Sequence, residues 1–293
     1  MGKDCIKKYL AYDGKVAVTL LETTELVEEA RTIHDLTPTT TAALGRLLTA
    51  TAILGQELKN ETEVVTVQIK GGGPIGTMCA VSNNIPEVKG YVGNPHVEPP
   101  LKDNGKLDVG SAVGCEGLMT VIKDIGLKEP YVGITPLVSG EIAEDFAKYF
   151  VESEQKNNAL ALGVLVDKNG VKRAGGYQIA LMPDVTDEIV TKLEENLKIN
   201  ANISNLLEKN ENLDEIAKII TGDVNIKIIE ENNNIKYHCN CTKNKFEKGL
   251  ISLGKKELEE LTTVQENVET VCHFCGKKYN FDKQDFEKIL KNL

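Results

Sequence analysis

Two close pairs of cysteines near the C-terminal end are the residues of this sequence best suited to chemistry. The first pair is Cys239 and Cys241, and the second is Cys272 and Cys275, which Gly276 follows directly. Two short-spaced cysteine pairs separated by a long interval are typical of a site in which four thiolates hold one zinc ion. We therefore predict that these four cysteines are the ligands of a Zn²⁺ ion.

The residues around the two pairs fit a small metal-bound module. Gly276 allows the tight turn that would point both sulfurs of the second pair inward. The Cys-x-Cys spacing of the first pair places its sulfurs on opposite faces of an extended strand, so we expect the chain to turn sharply at Asn240. Apolar cover is expected from Phe274, Tyr279 and Phe281. A positive charge that favours thiolates is expected from the nearby lysines Lys236, Lys243, Lys245, Lys255, Lys277 and Lys278.

The remaining histidines and cysteines carry weaker signals. His238 and His273 adjoin the cysteine pairs, and either could replace one thiolate in a three-cysteine site, although a lone histidine at such a place is more often a turn or surface residue. Cys5, Cys79 and Cys115 have no partner at metal-binding spacing. We expect these three to be small buried apolar residues.

A glycine-rich segment matches a nucleotide-binding motif in its letters but not in its context. Glycines at 71, 73 and 76 follow a predicted strand, as in the dinucleotide-binding fingerprint. That fingerprint must open a helix, whose N-terminus binds the pyrophosphate. Here Pro74 is followed by alternating Ile75, Thr77 and Cys79, which is typical of another strand. We interpret the segment as a turn between two strands.

Composition and charge exclude several classes of protein. The chain has 293 residues, enough for about two domains. Its net charge is −10, whereas a nucleic-acid-binding surface would be basic. The apolar run over residues 41–58 is interrupted by Arg46 and Gln56, so it predicts a buried helix of small residues and not a membrane span. The first residues contain no apolar stretch typical of a secretion signal, and paired cysteines are then expected to serve metal or redox chemistry in a reducing cytoplasm.

The predicted fold class is α+β, and the first domain, residues 1–183, is a mixed α/β domain. Its helices are predicted to start at Thr23 or Thr24, at Thr37-Pro38 and at Ser139-Gly140-Glu141. Asn169-Gly170 predicts a hairpin between two long strands. Further strands are predicted over residues 15–21, 64–70, 88–92, 117–123 and 132–138.

Residues 184–231 are predicted to form a short all-helical linker domain, and residues 232–293 a zinc-binding redox-switch domain. Three short amphipathic helices are indicated by apolar residues at helical spacing, including Leu193, Leu207 and Ile216. Helices of this length are marginal alone and depend on packing against their neighbours. We therefore expect the order of the linker to depend on the domains around it.

The chain resembles the family of redox-regulated bacterial chaperones of thirty-three kilodaltons, the heat-shock proteins also known as 33 kDa chaperonins. The most specific part of the resemblance is Cys239-x-Cys241 with Cys272-x-x-Cys275. Similar segments extend over most of the chain: residues 123–131, 139–155, 174–178 up to Pro183, and 250–258.

The resemblance implies a molecular chaperone that works without ATP. It would bind unfolding client proteins and so limit oxidative aggregation in the stress response. It would be inactive when reduced and zinc-bound, and active once oxidation has released the zinc. The resemblance also implies neighbour disulfides, Cys239 with Cys241 and Cys272 with Cys275, and a homodimer in the oxidised form.

Two alternative functions remain open from the residues alone. The lysines near the cysteines permit a zinc-ribbon protein that binds nucleic acid, whereas the net charge of −10 counts against it. A thiol oxidoreductase could use Cys272-x-x-Cys275, but that motif normally belongs to a βαβ unit. No catalytic triad or paired acid and base residues stand out, so we expect a protein that is not an enzyme and that binds neither nucleic acid nor membranes.

Overall fold

The computed structural model describes residues 4–200, 202–210, 212–264 and 267–291. The chain divides into two compact units, with the boundary between His238 and Cys239. Both helices and sheets are present, with three helices in a row over the predicted linker, and the predicted α+β fold class is confirmed. The division of the first unit into an α+β domain and a linker domain stays a prediction.

Two sheets build the first unit. Its strands are β1 Cys5–Ala11, β2 Val16–Glu22, β3 Val64–Lys70, β4 Thr77–Ser82, β5 Glu87–Val92, β6 Leu118–Asp124, β7 Tyr131–Pro136, β8 Asn158–Asp167, β9 Gly170–Leu181, β10 Lys227–Asn232 and β11 Lys236–Tyr237. Sheet A has the order β10-β1-β2-β9-β8, and sheet B the order β11-β5-β4-β3-β6-β7. Every pairing is antiparallel except that between β11 and β5. The hairpin predicted at Asn169-Gly170 is the one that joins β8 to β9.

A buried helix lies between the two sheets. The helices of this region are α1 Thr24–His34, α2 Pro38–Gly55, α3 Val109–Val113 and α4 Ala143–Glu152. Helix α2 contacts β8 and β9 of sheet A and β4 and β5 of sheet B, and it is buried from Thr39 to Gly55 apart from Arg46. The hydroxyls of Thr41, Thr49 and Thr51 donate to carbonyls of the preceding turn, as from Thr49 to the Gly45 carbonyl at 2.8 Å, so these buried hydroxyls are paired. The predicted buried helix is confirmed.

No helix in the described parts of the chain is long and apolar enough to cross a lipid bilayer. The glycine-rich segment at residues 71–76 joins β3 to β4 as a turn between paired strands, as predicted. A side chain at Gly73 would lie 2.4 Å from the Ala112 carbonyl oxygen, and Gly76 has a φ of 71°. The glycines therefore allow close backbone packing and the positive φ of the turn, and no helix begins at this segment.

The start of α4 differs from the prediction. The sequence Ser139-Gly140-Glu141 predicted the helix start, whereas α4 begins at Ala143. The carboxylate of Asp145 folds back and accepts hydrogen bonds from the backbone N–H groups of Val138 at 2.7 Å and Ile142 at 3.0 Å. Ile142 itself has a φ of 74°, outside the helical region. The buried carboxylate thus stabilises an irregular turn where the sequence suggested a helical one.

Replacing Asp145 with alanine is expected to lower the free energy of unfolding of the first unit by about 3 kcal/mol, because several buried N–H groups lose their acceptor. Chemical denaturation measured by circular dichroism gives this value. The matched control is Glu144→Ala at the exposed neighbouring position, where we expect a change within about 0.5 kcal/mol. Equal effects of the two substitutions would contradict the assigned role of Asp145.

Three short helices pack on sheet A. They are α5 Asp187–Ile199, α6 Ile203–Lys209 and α7 Leu213–Thr221. Leu207, Ile216 and Ile220 are buried in one cluster with Tyr9 and Leu20 of the sheet. The side chains of Asn202 and Asn212 accept backbone N–H groups at the starts of α6 and α7, which gives the asparagines of this region a capping role. The three predicted linker helices are confirmed.

Strand β1 was not predicted, because two of its central residues are lysines. Lys7 pairs with Asp214 at 3.1 Å and Lys8 with Glu230 at 2.8 Å. The hydroxyl of Tyr9 also donates to Asp214 at 2.9 Å, so β1 ties α7 to the sheet. These partners lie about two hundred positions along the chain, beyond the range of any local sequence pattern.

The second unit is a small module built around a hairpin. Its elements are α8 Lys243–Ile251, α9 Lys255–Val264, β12 Asn267–Val271, β13 Lys278–Asp282 and α10 Lys283–Lys291. Its apolar cluster contains Leu258, Phe281, Phe286 and Ile289 as fully buried side chains, with Tyr279 almost buried. Of the three aromatics predicted to cover the cysteines, Tyr279 and Phe281 belong to this cluster, while Phe274 is half-buried in the turn between Cys272 and Cys275.

Candidate metal centre

The second cysteine pair lies on a tight turn that closes the β12–β13 hairpin. The backbone N–H of Gly276 donates to the Cys272 carbonyl at 2.8 Å, and the Cys272 N–H donates to the Lys277 carbonyl at 2.9 Å. Gly276 has a φ of 68°, a left-handed conformation that glycine adopts without strain. The turn predicted at Gly276 is confirmed, and it holds both sulfurs of the pair on one side of the hairpin end.

The first cysteine pair lies on an irregular segment before α8. Thr242 caps that helix by accepting the Lys245 N–H at 3.3 Å, which fixes the chain directly after Cys241. The ammonium group of Lys245 donates back to the Asn240 carbonyl at 3.0 Å. The chain makes neither a turn nor a bend at Asn240, so the prediction of a sharp turn there was wrong. Both sulfurs reach the site without it, because the cap and the lysine bond hold the segment in place.

The four sulfurs form one cluster. The Sγ atoms of Cys239 and Cys272 are 3.7 Å apart, and those of Cys241 and Cys275 are 3.4 Å apart. All four ligand atoms lie within 4.8 Å of one another. A tetrahedral ion with Zn–S bonds of about 2.3 Å requires sulfurs about 3.8 Å apart. The donor type, number and spacing therefore fit a four-thiolate metal site.

The free thiols of the cluster differ in acidity. Burial is the main cause that raises the pKa of Cys239 to about 12, and burial also raises the pKa of Cys275. Burial acts in the same direction on Cys241, but the hydrogen bond with Tyr279 and the neighbouring thiols outweigh it and lower the pKa of Cys241 to about 7. A bound cation would favour the deprotonated form of all four thiols.

Tyr279 is a site residue whose role the sequence analysis missed. Its hydroxyl oxygen lies 3.2 Å from the Cys241 sulfur, and it donates to the Cys241 carbonyl at 2.9 Å. The hydrogen bond with Cys241, followed by burial, raises the pKa of Tyr279 to about 12. The available signal was the alternation of buried and exposed residues along β13. It places Tyr279 and Phe281 together on the buried face of the hairpin.

Most of the nearby lysines are bound to other groups. Lys236, Lys243 and Lys278 form ion pairs with Glu87, Asp285 and Glu269. Lys277 lies over the ring of Tyr279 at 5.4 Å, and Lys255 is 3.9 Å from Glu259. The charges of these lysines are therefore engaged mainly by carboxylates and an aromatic ring. Among these groups, the Tyr279 hydroxyl, 3.2 Å from the Cys241 sulfur, lies closest to a thiol of the cluster.

The other candidate ligands do not join the cluster. Among the described residues, the group that could hold a metal ion consists of the four cysteines and includes neither His238 nor His273. The imidazole of His238 lies 3.9 Å from the Glu87 carboxylate. Outside the cluster, Cys79 is buried and Cys5 is half-buried, whereas Cys115 is exposed in the loop that follows α3. The prediction of a buried position was therefore wrong for Cys115, because that loop carries it to the surface.

This chain is similar to known proteins over nearly its whole length. The family model described as Hsp33 protein matches residues 4–282. A 33 kDa chaperonin of Thermoanaerobacter sp. strain X514 is 47% identical over 290 residues, covering 99% of this chain and 98% of the relative. A 33 kDa chaperonin of Clostridioides difficile strain 630 is 44% identical over 291 residues, covering 99% of this chain and 100% of the relative.

A solved structure shares the fold. The crystal structure of the 33 kDa chaperonin from Thermotoga maritima aligns with a TM-score of 0.90 at 40% sequence identity. The alignment covers 99% of this chain and 98% of that chain. The relatives are named as chaperonins and not as enzymes.

Proposed function

Because the chain belongs to the Hsp33 family, we propose that it is a redox-regulated chaperone that holds unfolding proteins without using ATP. It is inactive when reduced and zinc-bound, and oxidation of its cysteines to disulfides activates it with release of zinc. Its role is to protect proteins from aggregation during oxidative stress in the cytoplasm. The cluster of four thiols is the single observation that carries this proposal, since it offers both the metal site and the oxidisable groups.

The proposed metal is one Zn²⁺ ion held by Cys239, Cys241, Cys272 and Cys275. The spacing of the sulfurs supports this ligand set, and sulfur ligands in a tetrahedral arrangement are typical of structural zinc. The apolar cluster of the second unit is small, so burial alone gives it little stability. Zinc binding supplies about 10–16 kcal/mol to the folding of such modules at neutral pH. Loss of the ion would therefore unfold the unit.

Oxidation removes the ligands of the ion. One thiolate attacks an oxygen of hydrogen peroxide, so that an S–O bond forms, the O–O bond breaks and hydroxide leaves. A second thiolate then attacks that sulfur, an S–S bond forms and a second hydroxide leaves. Two thiolates lose two electrons to one peroxide, and a disulfide no longer provides thiolate ligands. The zinc ion is released when the ligand set is incomplete.

The predicted neighbour disulfides, Cys239 with Cys241 and Cys272 with Cys275, can be tested by peptide mapping. Four cysteines allow three pairings, and the family resemblance implies this one. Digestion of peroxide-treated protein without reduction should yield each neighbour pair within one peptide. The untreated protein, alkylated before digestion, is the control. A majority of cross-linked peptides that join Cys241 to Cys272 or Cys275 would contradict the prediction.

Unfolding of the second unit is proposed to release the linker helices through the chain that joins them. Strand β11 ends one residue before the boundary and pairs with β5 of sheet B over only two residues, Lys236 and Tyr237, and the Tyr237 hydroxyl donates to the Gly90 carbonyl at 2.8 Å. Before β11 in the chain, β10 is an exposed edge strand paired with β1. Fraying of these strands would loosen α7, and short helices do not persist without packing.

Release of α5–α7 would expose the surface that holds clients. The helices bury apolar side chains against sheet A, and separation would uncover both the helices and the face of the sheet. Exposed apolar area of this kind binds unfolded proteins and favours association of two copies. Unfolding client proteins are the proposed partners, with a homodimer in the oxidised state and no nucleic acid or membrane as a partner.

Two other functions receive less support. A thiol oxidoreductase needs its Cys-x-x-Cys motif at a strand-to-helix junction, whereas Cys272 and Cys275 lie at the end of a two-stranded hairpin. A nucleic-acid-binding zinc ribbon needs free basic groups, whereas Lys236, Lys243 and Lys278 are paired with carboxylates. We therefore propose that the protein is not an enzyme.

The proposed function is tested by the aggregation of a thermally or chemically unfolding client, followed by light scattering. The protein oxidised with peroxide under mild heat should suppress aggregation at equimolar concentration. The reduced, zinc-loaded protein is the matched control and should leave aggregation unchanged. Equal suppression by the two forms would make the cysteines purely structural and overturn the redox switch.

A further inference from the structure

The ring of Tyr279 is held in one place by contacts from both parts of the second unit. Tyr279 lies on β13, four residues after Cys275, and its side chain is 8% exposed. Its ring lies 5.0 Å from that of Phe246 on α8, the helix that follows the first cysteine pair. The ammonium group of Lys277 lies 5.4 Å from the ring centre on the hairpin side. The ring is therefore fixed between the segment of the first pair and the hairpin of the second.

The hydroxyl of Tyr279 contacts only one of the four cysteines at hydrogen-bond distance in the described structure. Its oxygen is 2.9 Å from the Cys241 carbonyl oxygen and 3.2 Å from the Cys241 sulfur. The single hydroxyl proton thus has two alternative acceptors on the same residue. A tyrosine on the second pair's hairpin thereby binds a ligand residue of the first pair, by a bond that needs no metal.

We propose that Tyr279 is a positioning residue that sets how readily Cys241 is oxidised. This inference rests on the proposed function, since it concerns the same four-thiol site. Hydrogen-bond donors beside a metal-bound thiolate fix its orientation and withdraw electron density from the sulfur lone pairs. The Cys241 thiolate therefore attacks peroxide more slowly while the hydroxyl is present. Removal of the hydroxyl lowers the peroxide concentration at which the switch operates.

The reaction that Tyr279 retards is the first oxidation step at Cys241. The Cys241 thiolate forms an S–O bond to one oxygen of hydrogen peroxide, and the O–O bond breaks with loss of hydroxide. A second thiolate of the cluster then displaces hydroxide from the sulfenic acid and forms the S–S bond. Two electrons pass from the two sulfurs to one peroxide. Tyr279 takes no part in either transfer and acts only by its hydrogen bond to Cys241.

The test uses the variant Tyr279→Phe in the full-length zinc-loaded protein. This change removes one oxygen and keeps the ring that packs on Phe246. Zinc release under peroxide, followed with a chromogenic zinc chelator, should become about tenfold faster. Differential alkylation should show that the oxidation of Cys241 accelerates more than that of Cys275. An unchanged release rate, or equal acceleration at both cysteines, overturns the proposal.

Two further measurements separate the hydrogen bond from general loosening of the module. Phe286→Leu weakens the same apolar cluster and leaves the Tyr279 hydroxyl in place, so it is the matched control. Equal acceleration in Phe286→Leu and Tyr279→Phe overturns the proposal. In protein loaded with Co²⁺ instead of zinc, loss of a hydrogen bond to sulfur should move the sulfur-to-cobalt charge-transfer absorption to longer wavelength in Tyr279→Phe only. An unshifted band overturns the proposal.

These measurements are independent of chaperone activity. A wild-type protein that releases zinc under peroxide but never suppresses client aggregation would overturn the proposed function. The comparison of Tyr279→Phe with Phe286→Leu would still decide the role of the hydroxyl. Faster zinc release and faster oxidation of Cys241 in Tyr279→Phe, together with a shifted cobalt band, support the role of Tyr279 in either case.

Discussion

Removing zinc from the reduced protein is expected to unfold the second unit and leave most of the first unit folded. The unit has a small apolar cluster, in which Leu258, Phe281 and Ile289 are the best buried side chains. Loss of about 10 kcal/mol of metal-linked folding free energy exceeds what a cluster of this size can replace. Hydrogen exchange after treatment with a strong chelator should show lost protection in β12, β13 and α10, whereas α2 remains protected.

The amount of zinc bound per chain tests the proposed ligand set directly. Elemental analysis of the reduced wild-type protein should give one zinc per chain, and Cys272→Ser should give much less. Cys79→Ser is the matched control, because Cys79 is buried in sheet B and is not part of the cluster. Absence of zinc in the wild type, or unchanged zinc in Cys272→Ser, would contradict the proposed ligand set.

A charge placed under α7 is expected to activate the chaperone without oxidation. Ile216 is fully buried between α7 and sheet A. An unpaired carboxylate there costs several kcal/mol, more than a helix of about nine residues gains from its packing. Ile216→Asp should therefore release α7 and suppress client aggregation while the protein is reduced and zinc-loaded.

The controls for this variant lie on the same helix. Glu215→Ala changes an exposed residue that pairs with Lys218, and it should leave the reduced protein inactive. Ile216→Ala removes apolar contacts without adding charge, costs about 2–4 kcal/mol and should give intermediate activity. A folded Ile216→Asp or Ile216→Ala protein that retains zinc, exposes α7 and yet has no activity would contradict the assignment of the client-binding surface.

Local patterns in the sequence predicted much of the fold. The β-branched run Val64–Lys70 forms strand β3 with the predicted bounds. The hairpin signalled by Asn169-Gly170 joins β8 to β9, with Lys168 and Asn169 in the turn and Gly170, at a φ of 122°, as the first residue of β9. The four clustered cysteines were predicted for the same reason, since metal ligands come at short spacings fixed by the geometry of the ion.

The structural features that the sequence analysis missed depend on partners distant in the sequence, or on side chains that form the hydrogen bonds a regular helix would otherwise make. Strand β1 was hidden by Lys7 and Lys8, whose partners Asp214 and Glu230 come from the far end of the first unit. The start of α4 was misplaced because Asp145 satisfies the preceding N–H groups with its side chain. The contact of Tyr279 with Cys241 likewise needs the folded hairpin, because the alternation along β13 indicates the buried face of Tyr279 but not its partner.

The central claim is that oxidation of the four-thiol centre releases the linker helices from sheet A. Hydrogen exchange of the wild-type protein, compared between the reduced zinc-loaded form and the peroxide-oxidised form, tests it most directly. The account predicts that the oxidised form loses protection across α5, α6 and α7 while α2 keeps its protection. Unchanged protection of α5–α7 in protein that has lost its zinc and formed its disulfides would contradict it.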